Sequence, residues 1–179
     1  MGEEYPWYQE VDGKSLEQGD FFEDLPVFIP DVSSELMAEA KTEGAKPKVP
    51  FDTLSINAVI VSQSCDLENE KVDMVILCPV WSVEELQDQA GIGKGRLENI
   101  RKGNEPAWHM INQSDNPERK VSAVEFRRIH TVPKKILHDF AGSQDSRVRL
   151  RPPYREHLSQ SFARYFMRVG LPVAIPKFG

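Results

Sequence analysis

The chain has 179 residues, 40% of them hydrophobic, which suits one domain with a modest core, and its apolar runs are strand-sized and broken by charge, excluding a membrane span. Its two cysteines stand neither in a CxxC pair nor beside a histidine, which argues against a structural zinc site and for free thiols in a reducing compartment. The net charge of −6 is uneven: residues 1–90 hold 5 Lys/Arg against 20 Asp/Glu, and residues 91–179 hold 17 against 8.

The opening "MGEEYPWYQEVDGK" is acidic. It lacks the basic start and apolar centre of a signal peptide and the Ser or Thr of a myristoylation signal, so a cytoplasmic location is expected. In "SLEQGDFFEDLPVFIPD", Gly19-Asp20 reads as a turn before short strands at Phe21–Phe22 and Leu25–Ile29. Residues 31–50 combine a weak helical patch, "SSELMAEAK", with an exposed loop around Gly44, Pro47 and Pro50. Ser55–Ser62 and Val72–Val80 are β-branched and apolar on both faces, as central, covered strands are. The short link between them is too brief for a helical crossover, so they should be antiparallel neighbours.

Ser82 with Glu85 forms a capping pattern for a helix, which "GIGKG" interrupts before a second helical turn, "RLENIRKG". "PAWHMIN" reads as a strand, "NQSDNPERK" as a turn and "VSAVEFRRIHTV" as one long alternating strand. Pro133 opens a short helix closed by Gly142. In the tail, Leu158, Phe162, Tyr165, Phe166 and Val169 mark one face of an amphipathic helix stopped by Gly170 and Pro172, with Arg155, Arg164 and Arg168 on its flanks. These elements predict a mainly β protein with α additions: a small antiparallel β-barrel plus an amphipathic C-terminal helix. The expected division is a barrel domain over 1–145 with a helical insertion near 82–103, and a strand and helix over 146–179 packed on it.

Chemistry-bearing residues are few. Cys65, in "SQSCD", is a candidate nucleophile, but the adjoining Asp66 would raise the thiol pKa, the wrong direction for activation. Ser62, Gln63, Ser64 and Asp66 at this corner, with Ser82, are candidates for lining a ligand groove. No phosphate loop is present, because "GIGKG" lacks the Walker spacing, and neither a metal nor a cofactor is expected. "RVRLRPPYR" supplies Arg147, Arg149, Arg151 and Arg155. They fit a surface for single-stranded nucleic acid or an acidic partner, and equally an edge strand guarded by its own charges. The charge imbalance is open in the same way: the halves neutralise each other by packing, or the basic half is left to attract phosphates.

"QGDFFEDLPVF" with its Gly-Asp opening, the paired strands "NAVIVSQS" and "VDMVILCPV", and "FRRIHTVPKKIL" with its following helix resemble the PemK/MazF-like toxins over roughly residues 16–140. The resemblance implies an SH3-like barrel and, in typical members, metal-independent cleavage of single-stranded RNA, dimerisation and neutralisation by an antitoxin peptide. Family members place an arginine near the start of the second core strand and a hydroxyl residue after the long loop. Here "DTLSINA" has no arginine, and none occurs before residue 91, while Ala107 stands about where the hydroxyl belongs. Cleavage needs a cation for charge developing on phosphorus and a group to move a proton. The expectation is therefore a non-catalytic binding or regulatory protein, with homodimerisation as one option, a protein partner and RNA as a further ligand, in a toxin–antitoxin or phage-defence setting. The alternative is an endoribonuclease with a substitute site built on His109 with Arg96 or Arg101; a cysteine hydrolase built on Cys65 ranks third.

Overall fold

The computed structural model describes residues 6–167; Arg168, Val169, Gly170 and Pro172 of the expected tail helix lie outside the described residues, as do the first five residues. The first half of the chain forms β1 (Tyr8–Val11), β2 (Phe21–Pro30), α1 (Ser34–Ala40), β3 (Phe51–Ile60), α2 (Ser64–Glu68), β4 (Met74–Ser82) and α3 (Val83–Asp88). The second half forms α4 (Lys94–Arg101), β5 (Trp108–Ile111), β6 (Ser114–Asp115), β7 (Glu118–Arg119), β8 (Ser122–Glu125), β9 (His130–Pro133), α5 (Lys134–Gly142), β10 (Arg147–Leu150) and α6 (Tyr154–Phe166). The protein is mainly β, with antiparallel pairing and six helices among the described residues.

β3 and β4 are antiparallel neighbours, with Val59 opposite Cys78 and Ile60 opposite Leu77. Their alternating side chains are covered on both faces, as their composition predicts. Ala58, Ile60, Val75 and Leu77 pack with Leu67 and with Leu137 of α5. Val59, Val61, Cys78 and Val80 pack with Phe126 and with Leu158 of α6. A third cluster joins Leu86, Ile92 and Ile100 of the helical excursion to Trp108 and Ala123. Ser82 caps α3 as expected: its hydroxyl accepts from Glu85 N and the Glu85 carboxylate accepts from Ser82 N.

Three local expectations change. Phe21–Phe22 and Leu25–Ile29 belong to one strand, β2, whose register against β3 slips between Phe22 and Leu25, where Asp24 takes a φ of 49°. The expected long strand over 121–132 is two strands, because the consecutive charges Arg127 and Arg128 cannot both follow an in–out alternation. β8 and β9 both pair with β4, and the chain turns outward between them. The sheet runs β2-β3-β4-β8-β5 and does not close into a barrel. Pro26 and Pro30, which lack N–H donors, suit β2 to its place at the open edge.

β1 pairs with β10, so the two ends of the chain form a separate ribbon. Gly19 and Asp20 join this ribbon to the main sheet. Gly19 N donates to Ile60 O and Ile60 N to Asp20 O, both at 2.9 Å, while Leu150 N donates to Gly19 O at 2.9 Å. Gly19 has a φ of +87°, and a Cβ there would stand 3.0 Å from Leu150 Cβ, so both conformation and space call for glycine.

The Asp20 side chain is fully buried between two arginines of β10. Arg147 Nε donates to it at 3.1 Å, Arg149 donates through Nε and Nη2, and Glu17 N donates at 3.1 Å. The arginines also donate to the carbonyls of Gly13 and Ser15. Breaking one partner of such a network strands charge in the interior. Asp20→Asn should therefore lower the unfolding free energy by about 3–5 kcal/mol in urea titrations. A loss under about 1 kcal/mol would mean that water screens the network as it screens a surface pair.

Candidate functional site

The "SQSCD" corner is a structural joint. Ser62 Oγ accepts from Ile76 N at 2.8 Å, and Ser64 Oγ accepts from Gln18 N at 3.1 Å. Gln63 Nε2 reaches Ser159 Oγ on α6 at 2.9 Å. These side chains fasten the start of α2 to neighbouring backbone and to the tail helix. Cys65 is exposed, and its Sγ lies 3.8 Å from Asp66 Oδ1. Among the described residues no histidine is hydrogen-bonded to this thiol to serve as a base. Cys78 is buried in β4, and its thiol is pushed up to about 12 by burial and then by Glu125. Ser82 rims a surface depression beside β6 and β7, but its hydroxyl is engaged in the helix cap.

The four arginines proposed as a binding surface separate. Arg147 and Arg149 are buried on Asp20 and cannot reach a ligand, which corrects that expectation for both. Burial by itself would lower the Arg149 pKa, but the hydrogen bond and charge of Asp20, with the charge of Glu17, raise it above the ordinary value. Arg155 is partly buried and divides its donors between Glu17 and Glu156. Arg151 alone of the four is exposed.

Two concave regions hold chemistry. The larger, about 720 Å³, lies beneath the outer half of the β2–β3 ribbon and is closed on the far side by the turn between β8 and β9. Ile29, Leu54 and Ile129 give it apolar walls, and Trp81, Arg127 and Arg128 a cationic, aromatic end. Trp81 Nε1 donates to Glu125 Oε2 at 3.2 Å, and the Arg128 guanidinium lies 5.7 Å from the Trp81 ring centre. His130, on the same wall, is lowered by burial and then by Arg128, which keeps its imidazole neutral. The sequence signal for this wall was the Arg127-Arg128 pair interrupting an alternating strand.

The second cavity, about 330 Å³, lies between the end of α4, β5 and α6. It brings His109 together with Arg101, His157 and Arg164. Arg96, the other arginine considered beside His109, is held in a bidentate pair with Glu105 at 2.9–3.0 Å. The His109 ring stacks 6.4 Å from Phe126, and its pKa falls to about 4 through burial and then through His157. His157 is the cavity residue that sequence order could not pair with His109, because it lies on another element far along the chain. Among the described residues, no group of three or more His, Cys, Asp or Glu side chains is placed to hold a metal ion.

Compared with protein-family models and with curated proteins, the chain matches none.

A thiol reagent should modify one cysteine in the folded protein and two after denaturation, because Cys65 is exposed and Cys78 buried. Two rapid equivalents in the native state would contradict the β4 core. A second outcome follows from His109, whose folded pKa of about 4 lies below its ordinary 6.5. Its contribution to stability is complete above about pH 6.5 and is lost as pH falls towards 4, at no more than about 1.4 kcal/mol per pH unit. Urea midpoints at neutral and acid pH should show a flatter acid limb in His109→Gln; an identical limb would assign the acid sensitivity elsewhere.

Proposed function

We propose that this chain is a non-catalytic binding or regulatory protein in the PemK/MazF-like mould, which receives a peptide segment of a protein partner in the groove beneath the β2–β3 ribbon. On this reading the open sheet corresponds to the family's SH3-like barrel, and the setting is a cytoplasmic toxin–antitoxin or phage-defence system. One observation carries the proposal: the groove combines exposed apolar walls with an arginine end. Leu54 is 44% exposed and Ile29 43%, and Phe28 and Phe51, each 60% exposed, stack edge to face further along the same ribbon. Apolar surface gathered at a concavity is the usual mark of a binding site. Arg127 makes no ion pair among the described residues, so its guanidinium is available to an acidic side chain of the partner.

The catalytic reading has less support. Ala107, about where the family's hydroxyl belongs, is 2% exposed and offers no proton-transferring group. No arginine precedes residue 91, and the groove's His130 is held neutral beside Arg128. The endoribonuclease reading draws instead on His109 and His157 meeting in the second cavity.

The test is retrieval from the native host with mass spectrometry of protein and RNA, followed by hydrogen–deuterium exchange on the reconstituted complex. A protein partner should protect β2, β3 and residues 127–129. Leu54→Asp and the double change Arg127→Ala/Arg128→Ala should each release it while leaving the thermal midpoint near that of the parent. Protection confined to other surfaces would refute the groove. In metal-free buffer at neutral pH the purified protein should leave mixed single-stranded RNA intact. Cleavage that disappears in His109→Ala would replace the binding reading with the nuclease one.

A further inference from the structure

The cavity between α4 and α6 has a charge composition opposite to that of the chain. The protein carries a net −6, yet the cations Arg101, Lys102 and Arg164 line this cavity beside the imidazoles of His109 and His157, and no aspartate or glutamate does. Such a concentration of one sign on a concave wall focuses a field that draws anions. Gln160 and Ser161 on the α6 wall add an amide and a hydroxyl, both able to donate to oxygen.

The cations differ in how far they are already committed. Arg101 spends Nε and Nη2 on Glu98, both at 2.7 Å, which leaves its Nη1 donors free. Lys102 contacts the same carboxylate at 3.2 Å and keeps two of its three ammonium protons for another acceptor. Arg164, on the last turn of α6, has no carboxylate partner among the described residues. His109 sits half-buried at the back, against Phe126, while His157 is exposed at the rim.

Donors of three kinds converging from two helices and a strand suit an acceptor with several oxygens around one centre. A phosphate has that form, whereas a lone carboxylate would use two of the donors and leave the rest unmatched. The remaining wall is apolar, with the part-exposed Pro106 and Met110 over the buried Trp108, and offers a base or sugar an apolar contact. We propose that this cavity binds the phosphate of a nucleotide, either free or as a unit of single-stranded RNA, through Lys102, Arg164 and the two histidines. The site is separate from the groove and does not depend on the partner assigned there.

The experiment uses the full chain, with inorganic phosphate, adenosine 5′-monophosphate and a short single-stranded RNA oligonucleotide as probes. Calorimetry gives affinity, and imidazole carbon resonances report which of the four histidines is touched. The nucleotide should shift His109 and His157 and leave His130 and His138 unmoved. Arg164→Ala and Lys102→Ala, both surface changes, should each weaken binding by about tenfold, as loss of one charge-assisted contact does. His157→Gln provides a third variant should either fold poorly, and Arg127→Ala/Arg128→Ala should leave the affinity unchanged. An oligonucleotide that binds more tightly than the monophosphate assigns the site to RNA, and the reverse order to a free nucleotide. Inorganic phosphate binding as tightly as both would overturn the nucleotide assignment. Unshifted His109 and His157 at millimolar concentrations of every probe would overturn the site.

Discussion

The arrangement of the chain depends on one buried carboxylate. Asp20 lies at the junction of the main sheet and the terminal ribbon, and its lost water is replaced by the pair of guanidiniums projecting from β10 and by the backbone N–H of Glu17. Taking three charged groups out of solvent is expensive unless every lone pair and proton finds a partner. Here the surplus donors of both arginines are taken by Glu17 and by the carbonyls of Gly13 and Ser15. The ion network therefore fixes the loop before β2 and strand β10 at the same time. Once β10 is fixed, Tyr154 and α6 follow directly, and α6 covers the face of β3 and β4 that carries Val59 and Cys78. The segment comprising β10 and α6 is in this sense part of the core.

This network also accounts for the uneven charge of the sequence. Several ion pairs join the acidic first half to the basic second: Asp20 with Arg147, Glu17 with Arg149 and Arg155, Glu23 with Arg119, and Glu84 with Lys120. The Glu84–Lys120 pair is exposed on both sides and contributes little to stability; the Asp20 group is buried on both sides. Of the two outcomes open from composition, mutual neutralisation is the one found at β10, and the basic character left over falls on Arg127, Arg128 and the α4–α6 cavity.

Local physics made much of the fold legible. β-branched runs gave the covered strands β3 and β4, and the Ser82–Glu85 capping box located a helix start without any tertiary information. The failures share a cause, which is that they turn on partners distant in the chain. An arginine strand reads alike whether its guanidiniums face solvent or an aspartate 127 residues earlier, as Arg147 does. His109 and His157 are likewise joined by packing alone. Closure of the sheet was not legible either, since alternation describes a strand's two faces and carries no information about its edges.

The two concave regions share one supporting core residue, Phe126. This residue is fully buried, and its ring meets Phe162 at 5.5 Å and Tyr165 at 6.1 Å on α6, besides His109 at 6.4 Å. The next two residues are Arg127 and Arg128 of the groove. One core side chain thus anchors the back of the α4–α6 cavity and the first residue of the turn that closes the groove. Displacing a buried aromatic of this kind costs on the order of 3–5 kcal/mol. Both concavities are consequently formed before any ligand arrives, and little of the interaction energy needs to go into ordering them. The same rigidity argues against strong coupling between them. A two-state element is required for one site to influence another, and a side chain packed against three others in the core is a poor hinge.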